Sequence, residues 1–164
     1  MIKDGYFGDS SKMFCIGSVP AHALRLVDVT QQCLYKGILA VKPKATLGDI
    51  GHAIQSHAVK NTYSVVREYC GHGIGLKMHE DPQVTHYGTP GTGMVLEEGM
   101  TFTIEPMINQ GRAEVKHLTK DGWSIAMTKD RKLSAQWEHT ILVTKTGFEI
   151  LTLREEEKAA FNIT

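Results

Sequence analysis

Four residues spread along the sequence, Asp9, His72, Glu105 and Glu138, have the right types to share one divalent cation. Three carboxylates and one imidazole form an oxygen-rich, hard-to-borderline donor set that suits Mn²⁺, Fe²⁺, Co²⁺ or Zn²⁺ without thiolates. Carboxylates able to bridge are also what a hydrolytic site with two metals requires. His72 is flanked by Gly71 and Gly73, and glycine allows the close backbone approach that a crowded site needs. The other reading of each carboxylate is a solvated or ion-paired side chain. His22, His52, His57, His86 and His117 are read as structural or surface residues.

Other groups have weaker claims. His79, in His-Glu-Asp-Pro, is either a substrate-positioning or proton-transferring group or a turn histidine. Trp123 is either the wall of an apolar pocket or ordinary core. Gly71-His72-Gly73-Ile74-Gly75 has neither the spacing of a dinucleotide fingerprint nor the Lys-Ser/Thr of a phosphate loop. No serine nucleophile elbow occurs, and nothing marks Cys70 as activated.

The elements that must position these residues follow from pattern. Asp4-Gly5 is a hairpin signal, with a second arm expected within Tyr6 to Ile16 and a first arm of only Met1 to Lys3. That short first arm predicts that the sequence starts inside a hairpin of a longer chain. Pro20 can open a helix, and Leu24, Val27, Gln31, Leu34, Ile38 and Val41 trace one face of it, ending near Lys42-Pro43. Thr46 and Asp49 resemble a capping box opening a second helix with Leu47, Ile50, Ile54 and Ala58 inward. Strands are expected at Ser64-Val66, Met100-Ile104, Thr140-Val143 and Glu149-Leu153, with a second hairpin at Asp121-Gly122. Period two puts Thr101, Thr103 and Glu105 on one face and Phe102 and Ile104 on the other. It also puts Glu138 and His139 on opposite faces, so at most one of them lines a given site. The last ten residues are polar and are expected to fray. This order is α+β: a mostly antiparallel sheet covered by two helices.

Composition narrows the class. The 164 residues carry 18 basic and 18 acidic side chains, scattered, so neither a nucleic-acid partner nor a membrane surface is indicated. Three cysteines without CxxC spacing argue against a disulfide framework or structural zinc and fit a cytoplasmic setting. The first residues show no signal peptide, and no apolar run reaches the ~18 residues of a membrane span.

Together these motifs resemble the type I methionine aminopeptidases. The match runs almost end to end, through IKDGYFGDSSKMF, YSVVREYCGHGIG, HEDPQV, EEGMTFTIEPM, KDGWSIAMTKDRKLSAQWEHTI and EILTL. GHGIG and TIEP are shared with prolidases and other pita-bread enzymes; the KDGW to SAQWEHT stretch is the more specific. The resemblance implies a partial pita-bread (creatinase/aminopeptidase) fold, with residues 1–164 as one catalytic-domain fragment lacking roughly the first hundred residues of the family. It implies metal-dependent removal of the initiator methionine from peptides or nascent proteins, with Co, Mn, Fe or Zn as cofactor. It casts Asp9 and Glu138 as bridging ligands, His72 as the imidazole ligand, and Glu105 as ligand and proton shuttle. His79 becomes the group that contacts the scissile peptide, and Met78 and Trp123 walls of the methionine pocket. Met78 departs from the aromatic residue common there. An earlier family aspartate would fall before Met1, so one metal at most, weak or no activity, and self-association through an exposed sheet edge are expected. The alternative is a catalytically silent pita-bread binding module.

Overall fold

The Asp4-Gly5 turn opens the architecture. Both residues have positive φ (53° and 85°), as a type I′ turn demands. They join β1 (Ile2–Lys3) to β2 (Tyr6–Phe7), with Ile2 opposite Phe7 and Lys3 opposite Tyr6. The computed structural model describes residues 1–120 and 122–161. The second arm is shorter than the pattern to Ile16 predicts. Beyond Phe7 the chain makes only an isolated bridge, Ser11 to Glu138. Met13 packs on the core, while Phe14 and Ile16 face solvent.

Two helices follow. α1 (Ala21–Ile38) begins after Pro20, and α2 (Leu47–Lys60) begins at a reciprocal capping box. In that box the Asp49 carboxylate accepts the Thr46 N–H at 2.7 Å and Thr46 Oγ1 accepts the Asp49 N–H at 3.3 Å, satisfying two otherwise orphaned donors. The inward face of α2 is the expected one, Leu47, Ile50, Ile54 and Ala58. The expected stripe along α1 holds only in part: Leu34, Ile38 and Val41 are buried and Val27 packs on the core. Leu26, Val29, Thr30 and Cys33 are buried ahead of the expected Leu34 and Ile38, while Leu24 is 46 % exposed. The phase is set by packing. At Gly37 a Cβ would stand 2.7 Å from Ile54 Cδ1, so the two helices meet through the side of α1 that carries this glycine. The helix also stops at Ile38, short of Lys42-Pro43.

The sheets are antiparallel throughout. One has three strands in the order β10 (Ser134–Gln136), β7 (Met107–Asn109), β3 (Ser64–Val65). The other has five. Its central strands are β11 (His139–Val143), β6 (Thr101–Ile104) and β4 (Gly71–Gly73), flanked by β12 (Phe148–Ile150) and β5 (Glu80–Val84) at its edges. Pro82 is tolerated in β5 because an edge strand leaves one side unpaired. Phe102 and Ile104 are fully buried in the core cluster that includes the inward residues of α1 and α2, as period two predicts. A separate ribbon pairs β8 (Val115–Lys120) with β9 (Trp123–Thr128); of its expected Asp121-Gly122 turn, Asp121 lies outside the described residues.

The arrangement is α+β, as expected, with one addition. Of the last ten residues, expected to fray, 155–161 form α3 (Glu155–Phe161), with Glu157 2 % exposed, and 162–164 lie outside the described residues. Three acidic residues in its first turn and a lysine in its last suit the helix dipole. Among the described residues no helix is long and apolar enough to cross a membrane.

Candidate metal centre

Each candidate ligand is held by backbone bonds from a neighbouring element. Asp9 lies two residues beyond β2, where one hydroxyl grips it twice: the Asp9 N–H donates to Thr140 Oγ1 at 2.9 Å, and that hydroxyl donates to the Asp9 carbonyl at 2.8 Å. Glu138 immediately precedes β11, and its N–H donates to the Ser11 carbonyl at 3.3 Å. Its neighbour His139 points the opposite way into a fully buried position.

His72 occupies the middle of β4. A Cβ at Gly71 would fall 2.3 Å from the Thr103 carbonyl oxygen, and one at Gly73 would fall 2.1 Å from that of Asp81. Only glycine permits β5 and β6 to close on β4 from both sides. The His72 N–H donates to Thr103 Oγ1 at 3.0 Å, and its Nδ1 lies 2.9 Å from the Gly73 carbonyl. A carbonyl can only accept, so Nδ1 carries the proton and Nε2 keeps its lone pair for a cation.

Glu105 follows β6. Its N–H donates to His86 Nε2 at 3.0 Å, and its Oε1 accepts the Thr103 hydroxyl at 2.8 Å and lies 3.4 Å from His72 Nε2.

The ligand atoms of Asp9, His72 and Glu138 all lie within 4.8 Å of one another. Oxygen and nitrogen donors stand about 2.0–2.2 Å from a transition-metal ion, so a small side-chain adjustment puts all three on one ion, with Glu105 beside His72. The electrostatics also fit a cation. Burial pushes the Glu105 carboxyl up to about 7 and the Asp9 charge adds to this, against the Thr103 hydroxyl and His79. Burial likewise lifts Glu138 to about 8, helped by the charges of Glu105 and Asp9 and opposed by Gln136 and Arg154. Crowded, mostly buried carboxylates resist losing their protons until a positive charge arrives.

A cleft of about 990 Å³ opens on this cluster, lined by Asp9, His72, His79, Glu105 and Glu138 together with Tyr69, Cys70, Leu76, Lys77, Glu80, Asp81 and Gln83. The His79 ring lies 4.3 Å from that of His72, centroid to centroid. Burial and the Glu105 charge push the Cys70 thiol up, away from activation. Two expected wall residues are elsewhere. Met78 is half-buried and does not line this cleft, and Trp123 is 75 % exposed at the start of β9. Trp123 pairs with Lys120 at the end of the β8–β9 ribbon.

His86, read as merely structural, supports the site. It is fully buried, and desolvation pushes its pKa down to about 3, leaving a neutral ring that accepts the Glu105 amide. No spacing marks it. Thr103 was findable, because it shares the Glu105 face of β6.

Comparison with known proteins agrees with this geometry. The sequence profile described as metallopeptidase family M24 matches residues 1–145. The methionine aminopeptidase of Escherichia coli (strain K12) is 54 % identical over 157 residues, covering 96 % of this chain and 59 % of that protein. The crystal structure of methionine aminopeptidase from Rickettsia prowazekii superposes with a TM-score of 0.90 at 54 % identity, covering 93 % of this chain and 61 % of that one. The methionine aminopeptidase of Thermotoga maritima gives 0.88 at 44 % identity, with the same coverage. The partial pita-bread fold is the one expected. The chain spans about 60 % of the length of the relatives it matches.

Proposed function

The chain belongs to metallopeptidase family M24, and on that premise we propose that it carries the metal-holding part of a methionine aminopeptidase, which removes the initiator methionine from peptides and nascent proteins. The observation that carries this reading is the convergence of Asp9, His72 and Glu138 within 4.8 Å, with Glu105 3.4 Å from His72. These residues come from four separate parts of the chain and meet at one cleft.

Asp9, His72, Glu105 and Glu138 would hold one divalent cation, of the Mn, Fe, Co or Zn kind. When bound, such an ion supplies Lewis-acid polarisation of a peptide carbonyl and acidifies water. Glu105, with a carboxyl near neutrality, is suited to take a proton from water and return it to the leaving amine. His79 stands exposed at the cleft wall and can donate a hydrogen bond to the scissile peptide. Thr103 and His86 hold the Glu105 carboxylate and amide respectively, so that proton transfer occurs at a fixed place. The setting we propose is cytoplasmic. Self-association would use the open edges β5 and β12, and sedimentation showing a lone monomer would remove that part.

Calorimetric titration with Mn²⁺ tests the reading. One ion should bind the wild-type chain, and Asp9→Asn and Glu138→Gln should each abolish or greatly weaken that binding. Hydrolysis of a Met-Gly-Met peptide should be Mn²⁺-dependent and lost with the ion. A chain that takes up no Mn²⁺ overturns the reading. Tight Mn²⁺ and peptide binding without any cleavage favours the catalytically silent module.

A further inference from the structure

A buried polar chain lies behind the carboxylate side of the site, and the proposed reaction makes no use of it. Glu157 and His139 are 2 % and 0 % exposed. The Glu157 carboxylate accepts from Gln31 Nε2 at 3.0 Å and from Arg154 Nη1, whose distances to its two oxygens are 3.2 and 3.1 Å. His139 Nε2 lies 3.1 Å from Glu157 Oε2, and His139 Nδ1 lies 2.8 Å from Thr152 Oγ1. One proton assignment serves both contacts. Nε2–H donates to Glu157, and the Thr152 hydroxyl donates to Nδ1 while accepting the Thr140 N–H at 3.0 Å.

This chain reaches the metal centre at two points. Thr140, held by Thr152, is the residue whose hydroxyl grips Asp9 on both sides. Arg154 Nη2 donates to the Ser11 carbonyl at 2.9 Å, the same oxygen that accepts the Glu138 amide. The guanidinium therefore sits at the Ser11–Glu138 bridge, where the Asp9 segment runs antiparallel to the residues before β11. A buried ion pair adds little stability over well-packed apolar residues of the same volume, so a geometric role accounts for it better.

We propose that Arg154 is a positioning residue for the metal centre: by pinning the Ser11 carbonyl against Glu157 it holds Asp9 and Glu138 facing one shared cation. The inference rests on the metal-centre reading above and deepens it. Arginine suits the task because its planar fork reaches Ser11 and Glu157 at once, which a lysine ammonium on a flexible stem cannot do as rigidly.

The test compares Mn²⁺ affinity, measured by electron paramagnetic resonance of the free ion, in the wild-type chain and in Arg154→Met, Arg154→Lys and Lys12→Met. Lys12 ties the same segment to Glu156 of α3 at the surface, so its variant controls for loose docking of that helix. Arg154→Met should weaken Mn²⁺ binding by about 10- to 100-fold, the usual cost of losing support behind a metal ligand. Arg154→Lys should lose less, and Lys12→Met should bind as the wild type does. The visible absorption bands of the Co²⁺-loaded chain should shift in Arg154→Met and not in Lys12→Met. A folded Arg154→Met chain that binds Mn²⁺ as tightly as wild type overturns the inference. If that variant does not fold, wild-type affinity in Arg154→Lys overturns it instead. A wild-type chain that takes up no Mn²⁺ removes the metal reading itself, which is a separate outcome.

Discussion

Replacing Thr103 with valine probes the site with almost no change in shape. Thr103 is fully buried, and its hydroxyl accepts the His72 N–H at 3.0 Å while donating to Glu105 Oε1 at 2.8 Å. Valine keeps the volume and removes both bonds. An unpaired buried N–H costs about 1–3 kcal/mol, and a hydrogen bond to a charged group contributes about 1.5–3 kcal/mol. Part of the second loss is relieved when Glu105 takes up a proton. The combined penalty should therefore be about 2–4 kcal/mol, larger at pH 8 than at pH 6, because the Thr103 donor favours the ionised carboxylate and the carboxyl titrates at about 7. For a chain of this length that corresponds to a fall of about 5–15 °C in Tm. Mn²⁺ affinity should drop about 10- to 100-fold. Calorimetric melts at both pH values, with Mn²⁺ titration, measure this. Thr103→Ser should recover most of the loss. A valine variant with wild-type Tm and wild-type Mn²⁺ affinity would refute the claim that this hydroxyl organises His72 and Glu105.

Gly73→Ala should cost about 1–3 kcal/mol or more, because its Cβ meets a backbone carbonyl at 2.1 Å; Gly147→Ala, with open space around it, should be nearly neutral in the same calorimetric melts. Saturating Mn²⁺ at a hundred times its Kd should add about 2.7 kcal/mol, and EDTA should reverse the accompanying rise in Tm. The pH profile of urea stability has a worked sign. Burial lowers His86 and His139 from 6.5 to about 3 and about 4, so their contribution is present above about pH 6.5 and is lost as pH falls toward those values. Glu105 and Glu138 are raised from 4.5 to about 7 and about 8, so their contribution is present below about 4.5 and is lost as pH rises through 7 and 8. These opposing slopes nearly cancel between about 4.5 and 6.5, so the metal-free chain should be most stable at about pH 5.5, and Mn²⁺ should move that optimum upward; an optimum unmoved by Mn²⁺ would contradict the assignment of these carboxylates.

Much of the site could be read from local rules. The period of two around Glu105 and Glu138, the glycines beside His72, the capping box at Thr46 and the turn at Asp4-Gly5 each follow from geometry within a few residues. What escaped was set by tertiary contacts. The phase of α1 depends on the approach of Ile54 to Gly37, which is invisible until α2 is placed. Glu157 looks like one more acid in a charged tail until Arg154, His139 and Gln31 surround it. His86 gains its meaning only from an amide that folds onto it from β6. Trp123 is exposed and does not line the cleft, which no local pattern around it announces.

The double grip of Thr140 on Asp9 joins residues 131 apart in the chain, and Arg154 reaches Ser11 across 143. Closing a loop that long costs on the order of 4 kcal/mol in chain entropy beyond a constant, and nothing local repays it. In kinetic terms the carboxylate pair should therefore come together late, after the helices and the inner strands have formed, and should be among the first regions to open. A cation seated there would act as a clasp between distant parts of the chain, and its uptake should slow amide hydrogen exchange most around residues 9–11 and 138–140.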